Sequence, residues 1–532
     1  VNEQTPQAID LDPATARFAP TARVQDLGRT HFIGIGGAGM SVLAEMLHEQ
    51  GVDVDGSDAH ESAKTERLAA IGVPVRIGQR EDNVRDADIV VYSSAIKADN
   101  PEIVAASANG ARIVHRSDIL ALLMHGKRAV TVAGAHGKTT TSSMLAHILL
   151  HGGEGDLADP SYAIGGSIQG VDGTTLDGGH AGTGDVLVAE ADESDGSFEK
   201  YTPHIAIVTN AEADHLDHYG DADTYHRAFV DHLGHARGAI IVCADDASAL
   251  AVLRQLDSRT AARAIAYGTT SRDDIGELNG ARYVHIAAEQ ERAGSGKETF
   301  TLEMPVSVAE GRLRAGDDGA ADNDGAEDNS GALVRVPVAL AVPGLHNARN
   351  ATAAIIAAML LGMDPHRAAD AIATFLGASR RFEIRAHVGG VTVVDDYAHH
   401  PTEIAALLDA ARRRYPQSTI HVLFQPHLFS RTKFFADEFA HALAKADDVI
   451  VTGVFPARER QQDFPDVSAS TIADAAGDGA HIDVEEHMET AAQMIAMRAK
   501  PGDVVFTVGA GDITKMAPVI AHVLEAHVGK DD

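Results

Sequence analysis

Short runs rich in Val and Ile, each passing into a stretch of helical periodicity, recur from one end of this chain to the other. The first group is "HFIGIG", "DADIVVYSSAI" and "ARIVHR"; the second is "KRAVTVAG", "DVLVAEAD", "HIAIVTN" and "GAIIVCADD". A third starts near Arg380 with "VTVVDDYAHH" and continues through "TIHVLFQPH", "DDVIVTGVF" and "GDVVFTVGAGD". Strands that are apolar along their whole length need cover on both faces, and alternating helices supply it. The pattern therefore predicts an α/β chain of parallel sheets flanked by helices. At about 100–200 residues per domain, the 532 residues divide into a polar extension over 1–28 and three domains over 29–126, 127–378 and 379–532. Residues 314–332, "RAGDDGAADNDGAEDNSGA", hold too little apolar surface to offset their ordering entropy and read as a solvated insertion in the second domain.

Charge and composition remove several partners. The net charge is -33, aromatic residues are 5% and there is no Trp, so a polyanion would meet a repelling field and few stacking platforms. Nucleic acid and anionic membrane are thereby excluded as principal partners. No run approaches the ~20 apolar residues that span a bilayer, and the N-terminus lacks a basic start followed by an apolar core. The single cysteine, Cys243, excludes an intramolecular disulfide and a thiolate metal cluster, and its apolar surroundings read as a buried strand. The expected location is cytoplasmic.

In "HFIGIGGAGMSVLAEML" the glycines Gly34, Gly36 and Gly39 follow a strand and open a helix. In that spacing Gly34 permits the tight turn, Gly36 lets the backbone approach a diphosphate and Gly39 allows close helix–strand packing, while the helix N-terminus presents unpaired N–H groups. NAD, FAD and nucleotide sugars all satisfy such a turn. Asp58 stands where an acid would meet a ribose, and Ser93 and Ser94 end a neighbouring strand, where they suit phosphate, sugar or a plain serine turn.

A second strand, turn and helix lies in "VTVAGAHGKTTTSSMLAHILL", with the loop Gly134-Ala135-His136-Gly137-Lys138-Thr139 followed by Thr140. Its backbone suits phosphates, Lys138 suits the β and γ oxygens, and the Thr139 hydroxyl suits Mg2+. The first glycine of the usual G-x-x-x-x-G-K-T pattern is replaced by Val132. Two phosphate turns in one chain fit a ligase or transferase better than hydride transfer. Further on, "DVLVAEADESDGSF" ends a strand in Glu190, Asp192, Glu193 and Asp195, and "IVTNAEADHLDHYG" ends another in Asn210, Glu212, Asp214, His215, Asp217 and His218. Hard oxygen ligands at strand ends beside a phosphate loop are what a magnesium-nucleotide site needs. A solvated acidic loop and a surface histidine fit the same residues.

The ordered set "GIGGAGM", "AGAHGKTTT", "EADESDGSF", "TNAEADHLDHY", "HNARNATAA", "RRFE", "DDYAHHPTE" and "FQPHLFSRT" resembles the Mur ligases, ATP-dependent amino-acid ligases of peptidoglycan precursor synthesis, over residues 29–520. The resemblance implies a Rossmann-like UDP-binding domain, a P-loop ATPase-like central domain and a Rossmann-like C-terminal domain. It assigns UDP-sugar to Gly34, Gly36, Gly37, Ala38, Gly39, Met40, Asp58, Ser93 and Ser94. ATP would meet Gly134, Ala135, His136, Gly137, Lys138, Thr139 and Thr140, with Asn347 and Asn350 around adenine, Arg380 or Arg381 near the γ-phosphate and Asp396 contacting the nucleotide. Two Mg2+ ions would be held, one by Thr139 and Glu190, the other by Glu190 and His215. Tyr397, His399, His427 and Arg431 would line the amino-acid pocket, with His399 as the candidate base.

The resemblance implies UDP-N-acetylmuramate and L-alanine as substrates, with a recycling ligase that adds a tripeptide as the alternative, and a monomer or homodimer. Ala398 replaces a glycine common in "DDYGHHP", and Leu428 an arginine found in some members.

Overall fold

The computed structural model describes residues 9, 11–170, 174–291, 297–311, 332–457, 459–476 and 482–528. Nearly all of the expected insertion 314–332, and residues 1–8 and 10 of the expected extension, lie outside the described residues. The chain forms two compact units. One comprises Val1–Ala288, Phe300–Val338 and Arg349–Thr374, the other Glu289–Thr299, Ala339–Ala348 and Phe375–Asp532.

The first unit begins with five strands, β1 (Thr30–Ile33), β2 (Val54–Asp58), β3 (Val75–Ile77), β4 (Ile89–Tyr92) and β5 (Arg112–His115), in the order β3-β2-β1-β4-β5. All pairs are parallel. The strand order reverses between β1 and β4, so a crevice opens at their carboxyl ends, where the first glycine turn lies. Helices α1 (Ala38–Glu49), α2 (Ala63–Ala70), α3 (Pro101–Asn109) and α4 (Arg116–Leu123) connect the strands. Polar residues also enter this interior. His31, fully buried, sits with Nδ1 2.6 Å from Asp55, which pairs with Arg29 at 2.7 Å and Arg76 at 3.0 Å. Buried charges persist where they are paired in this way.

The second sheet is built around β6 (Arg128–Ala133), flanked in parallel by Val186–Glu190 and Ile205–Val208. It extends in parallel through Ala239–Cys243, Ala264–Gly268 and Arg282–Glu291, and on the other side through Ser161–Ala163. Cys243 is buried in its strand. From β6 the chain enters α5 (Lys138–Gly152), whose small and aliphatic residues are buried on almost every side. A helix covered all round is a rigid mount for whatever its first turn carries.

The apolar core runs without a break from the first sheet to the second, including Phe32, Met46, Leu123, Ala129 and Leu187. The expected boundary at Gly126 is a turn with φ +76° between α4 and β6. Gly179 permits a close approach: a Cβ there would lie 2.8 Å from the carbonyl oxygen of Val42 in α1.

The second unit carries a six-stranded sheet in the spatial order Glu383–Val388, Val391–Asp396, Val504–Val508, Ile420–Phe424, Asp448–Val451 and Ile482–Val484. All pairs are parallel except the first, a hairpin turned at Gly389 and Gly390 with φ of +58° and +76°. Positive φ at both turn residues matches the strand twist, and glycine accepts it without steric cost. Separate apolar clusters cover the two faces of the sheet. Among the described residues, no helix is long and apolar enough to cross a membrane.

Candidate active site

Gly34 leaves β1 with φ +74°, and the amides of Gly34 and Ile35 both donate to Ser57 O, at 2.8 and 2.9 Å. The Gly36 amide donates to Asp58 Oδ2 at 2.9 Å. Asp58 thus closes the turn across β2. A Cβ on Gly36 would lie 2.9 Å from the Thr65 methyl and 3.0 Å from the Asp58 carboxylate, so glycine admits α2 as well as any ligand. Gly39 departs from expectation. The space in front of it holds the Arg116 guanidinium, with Nη1 3.3 Å from where a Cβ would stand, rather than a strand. Gly37 caps α1, Ala38 begins it, and Met40 points into the core at 2% exposure.

Ser94, at the end of β4, donates to Asp195 and lies 3.2 Å from His115 Nε2. Burial holds the His115 pKa far down, to about 3, so this imidazole is neutral. Ser93 receives the Ile96 amide on its carbonyl. Arg116 reaches Asp192 at 2.6 Å. The acidic loop after Val186–Glu190 is therefore held from the first sheet at two of its carboxylates.

In the loop that opens α5, Gly134 has φ +138° and Gly137 φ +84°. Cβ atoms there would meet Thr209 Oγ1 at 2.3 Å and Asn350 Oδ1 at 2.8 Å. Both sides of His136 are clamped: its amide donates to Asn210 Oδ1 at 3.1 Å, and its carbonyl accepts from Asn210 Nδ2 at 2.7 Å and Thr209 Oγ1 at 2.6 Å. Lys138 opens α5 and folds back, donating to Gly134 O at 2.6 Å and lying 2.9 and 3.0 Å from the two oxygens of Glu193. Burial would lower the lysine pKa, but Glu193 and Asp192 outweigh it and the shift is upward, so Lys138 stays a cation.

Thr139 and Glu190 border one turn: Glu190 Oε1 accepts the Gly165 amide at 2.7 Å, and a Cβ on Gly166 would lie 3.0 Å from the Thr139 methyl. His215, with φ +53°, stands 3.8 Å from Glu193 and 3.7 Å from Asp214. Hydroxyl, carboxylate and imidazole groups are each of a kind that a hard divalent cation accepts. Thr140 is buried at the start of α5, and the half-buried Ala135 leaves its carbonyl 3.4 Å from Lys138 Nζ.

In the second unit, Arg380 and Arg381 flank one aromatic ring, with guanidinium carbons 4.9 and 5.3 Å from the Tyr397 centroid. Arg380 spends its fork internally, Nε on Asp395 at 3.0 Å and Nη2 on Gly509 O at 2.6 Å. Arg381 lies 3.6 Å from Glu403. Asp396 accepts the amides of Phe382 and Ala398, at 2.7 and 2.8 Å, yet burial still raises its pKa to about 6.

His399 stands edge-on to Tyr397 and His427, which stacks on Phe455. Burial lowers the His399 pKa to about 4, and its Nδ1 lies 3.1 Å from Tyr397 O. Arg431 is buried in the short helix Phe429–Phe434, which starts after Leu428 at φ +70°. Asn347 donates to Pro343 O at 2.6 Å.

Glu193 and Asp195 take parts other than the cation ligation expected of their acidic run, Glu193 as the partner of Lys138 and Asp195 as the acceptor from Ser94, and Arg116 carried no expected role. The acidic run flagged the two carboxylates; nothing local flagged Arg116.

Family models match three successive segments: "Mur ligase family, catalytic domain" over 29–128, "Mur ligase middle domain" over 132–307 and "Mur ligase, glutamate ligase domain" over 380–511. A protein of Bifidobacterium adolescentis named UDP-N-acetylmuramate–L-alanine ligase is 65% identical, the alignment covering 99% of this chain and 98% of that one. One of the same name from Paenarthrobacter aurescens is 43% identical over 94% and 98%. Among solved structures, a UDP-N-acetylmuramate-alanine ligase from Thermotoga maritima is similar with a TM-score of 0.71 at 29% identity, covering 94% of this chain and 99% of that one.

Proposed function

Because the chain belongs to the Mur ligase family, we propose that it joins L-alanine to the lactyl carboxylate of UDP-N-acetylmuramate at the expense of ATP, releasing ADP and phosphate. The observation that carries the reading is the phosphate loop: Lys138 at the first turn of α5, mounted against the carboxylates of the loop that Arg116 and Ser94 bind from the first sheet.

A free carboxylate is a poor electrophile. Attack of the lactyl carboxylate on the γ-phosphorus of ATP gives an acyl phosphate, and attack of the alanine amine on its carbonyl then expels phosphate. Phosphoryl transfer of this kind is catalysed mainly by positioning and charge stabilisation. Lys138 supplies a cation for the β and γ oxygens, and the loop amides at Gly134–Thr139 supply donors. Thr139 with Glu190, and Glu190 with His215, would hold two Mg2+ ions, which supply further positive charge to the phosphates when bound. Asn350, packed against Gly137, and Asn347 are assigned to the adenine.

Of the arginine pair, Arg381 is the residue for the γ-phosphate, because the Arg380 fork is spent on Asp395 and Gly509. Arg431 suits the alanine carboxylate, since a guanidinium fork matches a carboxylate. His399, with a pKa of about 4, is neutral at pH 7 and a weak base. Its role is to accept a hydrogen bond from the amine, with Tyr397 and His427 shaping the pocket, while the amine enters already neutral. The first glycine turn, with Asp58 and Ser94, takes the UDP-sugar.

The test is ADP release by the full chain with ATP, Mg2+ and UDP-N-acetylmuramate, with L-alanine, glycine, L-serine and the tripeptide compared as acceptors. Preference for L-alanine is expected. Preference for the tripeptide would move the chain to the recycling reaction, and no acceptor-dependent ADP would overturn the reading.

A further inference from the structure

Arg116 is the first residue of α4 and ends the run "ARIVHR", which reads only as a strand. Its guanidinium is nevertheless set against the first turn of α1, with Nη1 3.3 Å and Cζ 4.0 Å from where a Gly39 side chain would begin. Its Nη2 is 2.6 Å from Asp192 Oδ2, and the side chain is only 19% exposed. A cation beside the positive end of a helix is unfavourable on its own. Capping of α4 does not require it, since His115 and Asp118 fill that role. Asp192 supplies one counter-ion from the side; an anion between guanidinium and helix end would meet both positive groups at once, and the glycine turn is the place where the proposed UDP-sugar brings two phosphates.

We propose that Arg116 is the side-chain cation for the diphosphate of the UDP-sugar, held over the glycine turn by Asp192 until the diphosphate engages it. The inference rests on the reading of that turn as the UDP-sugar site and adds to it a residue and a counter-ion. A planar fork can keep one N–H on Asp192 while offering others to phosphate oxygens, which a lysine ammonium cannot do with the same geometry. The acidic loop then has a single logic for its neighbouring carboxylates. Asp192 holds the cation of the first phosphate turn, and Glu193, one residue on, holds Lys138 of the second.

The experiment is calorimetric titration of the full chain and of Arg116→Gln, Arg116→Lys and Asp192→Asn with UDP-N-acetylmuramate, UDP and uridine. Arg116→Gln should weaken both diphosphates about tenfold or more, the worth of a charge-assisted hydrogen bond, and leave uridine within about twofold. Arg116→Lys should recover part of the loss. Asp192→Asn should hold or tighten UDP, because a competing anion is gone. Equal weakening by Arg116→Gln and Asp192→Asn, or loss of uridine in parallel with UDP, would reduce Arg116 to a prop of the loop and overturn the inference. Unchanged diphosphate binding by Arg116→Gln would overturn it alone. A wild-type chain that binds no UDP-N-acetylmuramate overturns the underlying reading and the inference with it.

Discussion

Both carboxylate oxygens of Glu193 lie within 3.0 Å of the Lys138 ammonium, and the glutamate side chain is 1% exposed. The pair therefore has a structural as well as a chemical side, and substitutions can separate them. Lys138→Met alone leaves a buried carboxylate without its cation and should cost about 3–5 kcal/mol of stability. The double variant Lys138→Met with Glu193→Gln should regain most of that stability while acceptor-dependent ADP release stays down by about 100-fold or more. Thermal unfolding and steady-state turnover measured together check it; a double variant with activity near wild type would remove Lys138 from the phosphate site.

The two neighbouring arginines should behave differently. Arg380→Ala strips the fully buried Asp395 of its cation, although Thr507 and Thr514 still donate to it, and should cost about 3 kcal/mol in denaturant unfolding. Arg381→Ala breaks a longer contact with Glu403 and the packing of a partly exposed guanidinium on Tyr397, and should cost less, about 1 kcal/mol. Its effect should fall on kcat. Unimpaired kcat in Arg381→Ala would redirect the γ-phosphate assignment.

Two groups of the second unit should give opposite slopes of stability against pH. Asp396 has its pKa raised from 3.8 to about 6, so the folded state binds the extra proton and stability falls as pH rises from about 4 to 6. His399 has its pKa lowered from 6.5 to about 4, so the unfolded state binds the extra proton and stability falls as pH drops from 6.5 towards 4. Each effect is bounded by about 3 kcal/mol, and they partly cancel. Asp396→Asn should unmask the loss at low pH, and His399→Gln should unmask the loss on raising pH, in melting temperatures taken from pH 4 to 7. A shift in the same direction for both variants would contradict the assignment.

Gly134 and Gly51 both hold positive φ, but only Gly134 is crowded: a Cβ there would lie 2.3 Å from Thr209 Oγ1, whereas Gly51 has nothing within 4 Å. Gly51→Ala should cost about 1–2 kcal/mol from backbone strain alone. Gly134→Ala should cost about 1–3 kcal/mol more for the overlap and abolish stabilisation by ATP. Equal melting temperatures for the two variants would contradict the crowding at Gly134.

The parallel sheets were legible because burial on both faces leaves a local trace, continuous Val and Ile runs such as "AIIVC". The two glycine turns were legible as strand–turn–helix units because their glycines must fall at fixed offsets, with positive φ at Gly34, Gly134 and Gly137. The partners of those turns were not: Arg116 and Asp192 are 76 residues apart, Lys138 and Glu193 55 apart, and no periodicity links such positions. Gly39 misled because its spacing predicts a packed strand where a guanidinium fills the space. The strands Glu298–Pro305 and Leu333–Leu340 leave a different trace. Their burial alternates residue by residue, the mark of one-sided cover, which leaves no continuous apolar run. The boundary at Gly126 fell at a turn, but composition cannot reveal that the core runs through it.

Asn210 grips His136 through both of its backbone groups, amide and carbonyl, while Thr209 adds a third bond. A flexible loop that must organise around phosphates loses about 1–2 kcal/mol of conformational freedom per residue at the moment of binding. Here much of that loss falls at folding instead, when the strand Ile205–Val208 brings Thr209 and Asn210 into place. The His136 amide should exchange with deuterium as slowly in the nucleotide-free chain as in the sheet behind it, and nucleotide affinity is then spent on contacts rather than on ordering the loop.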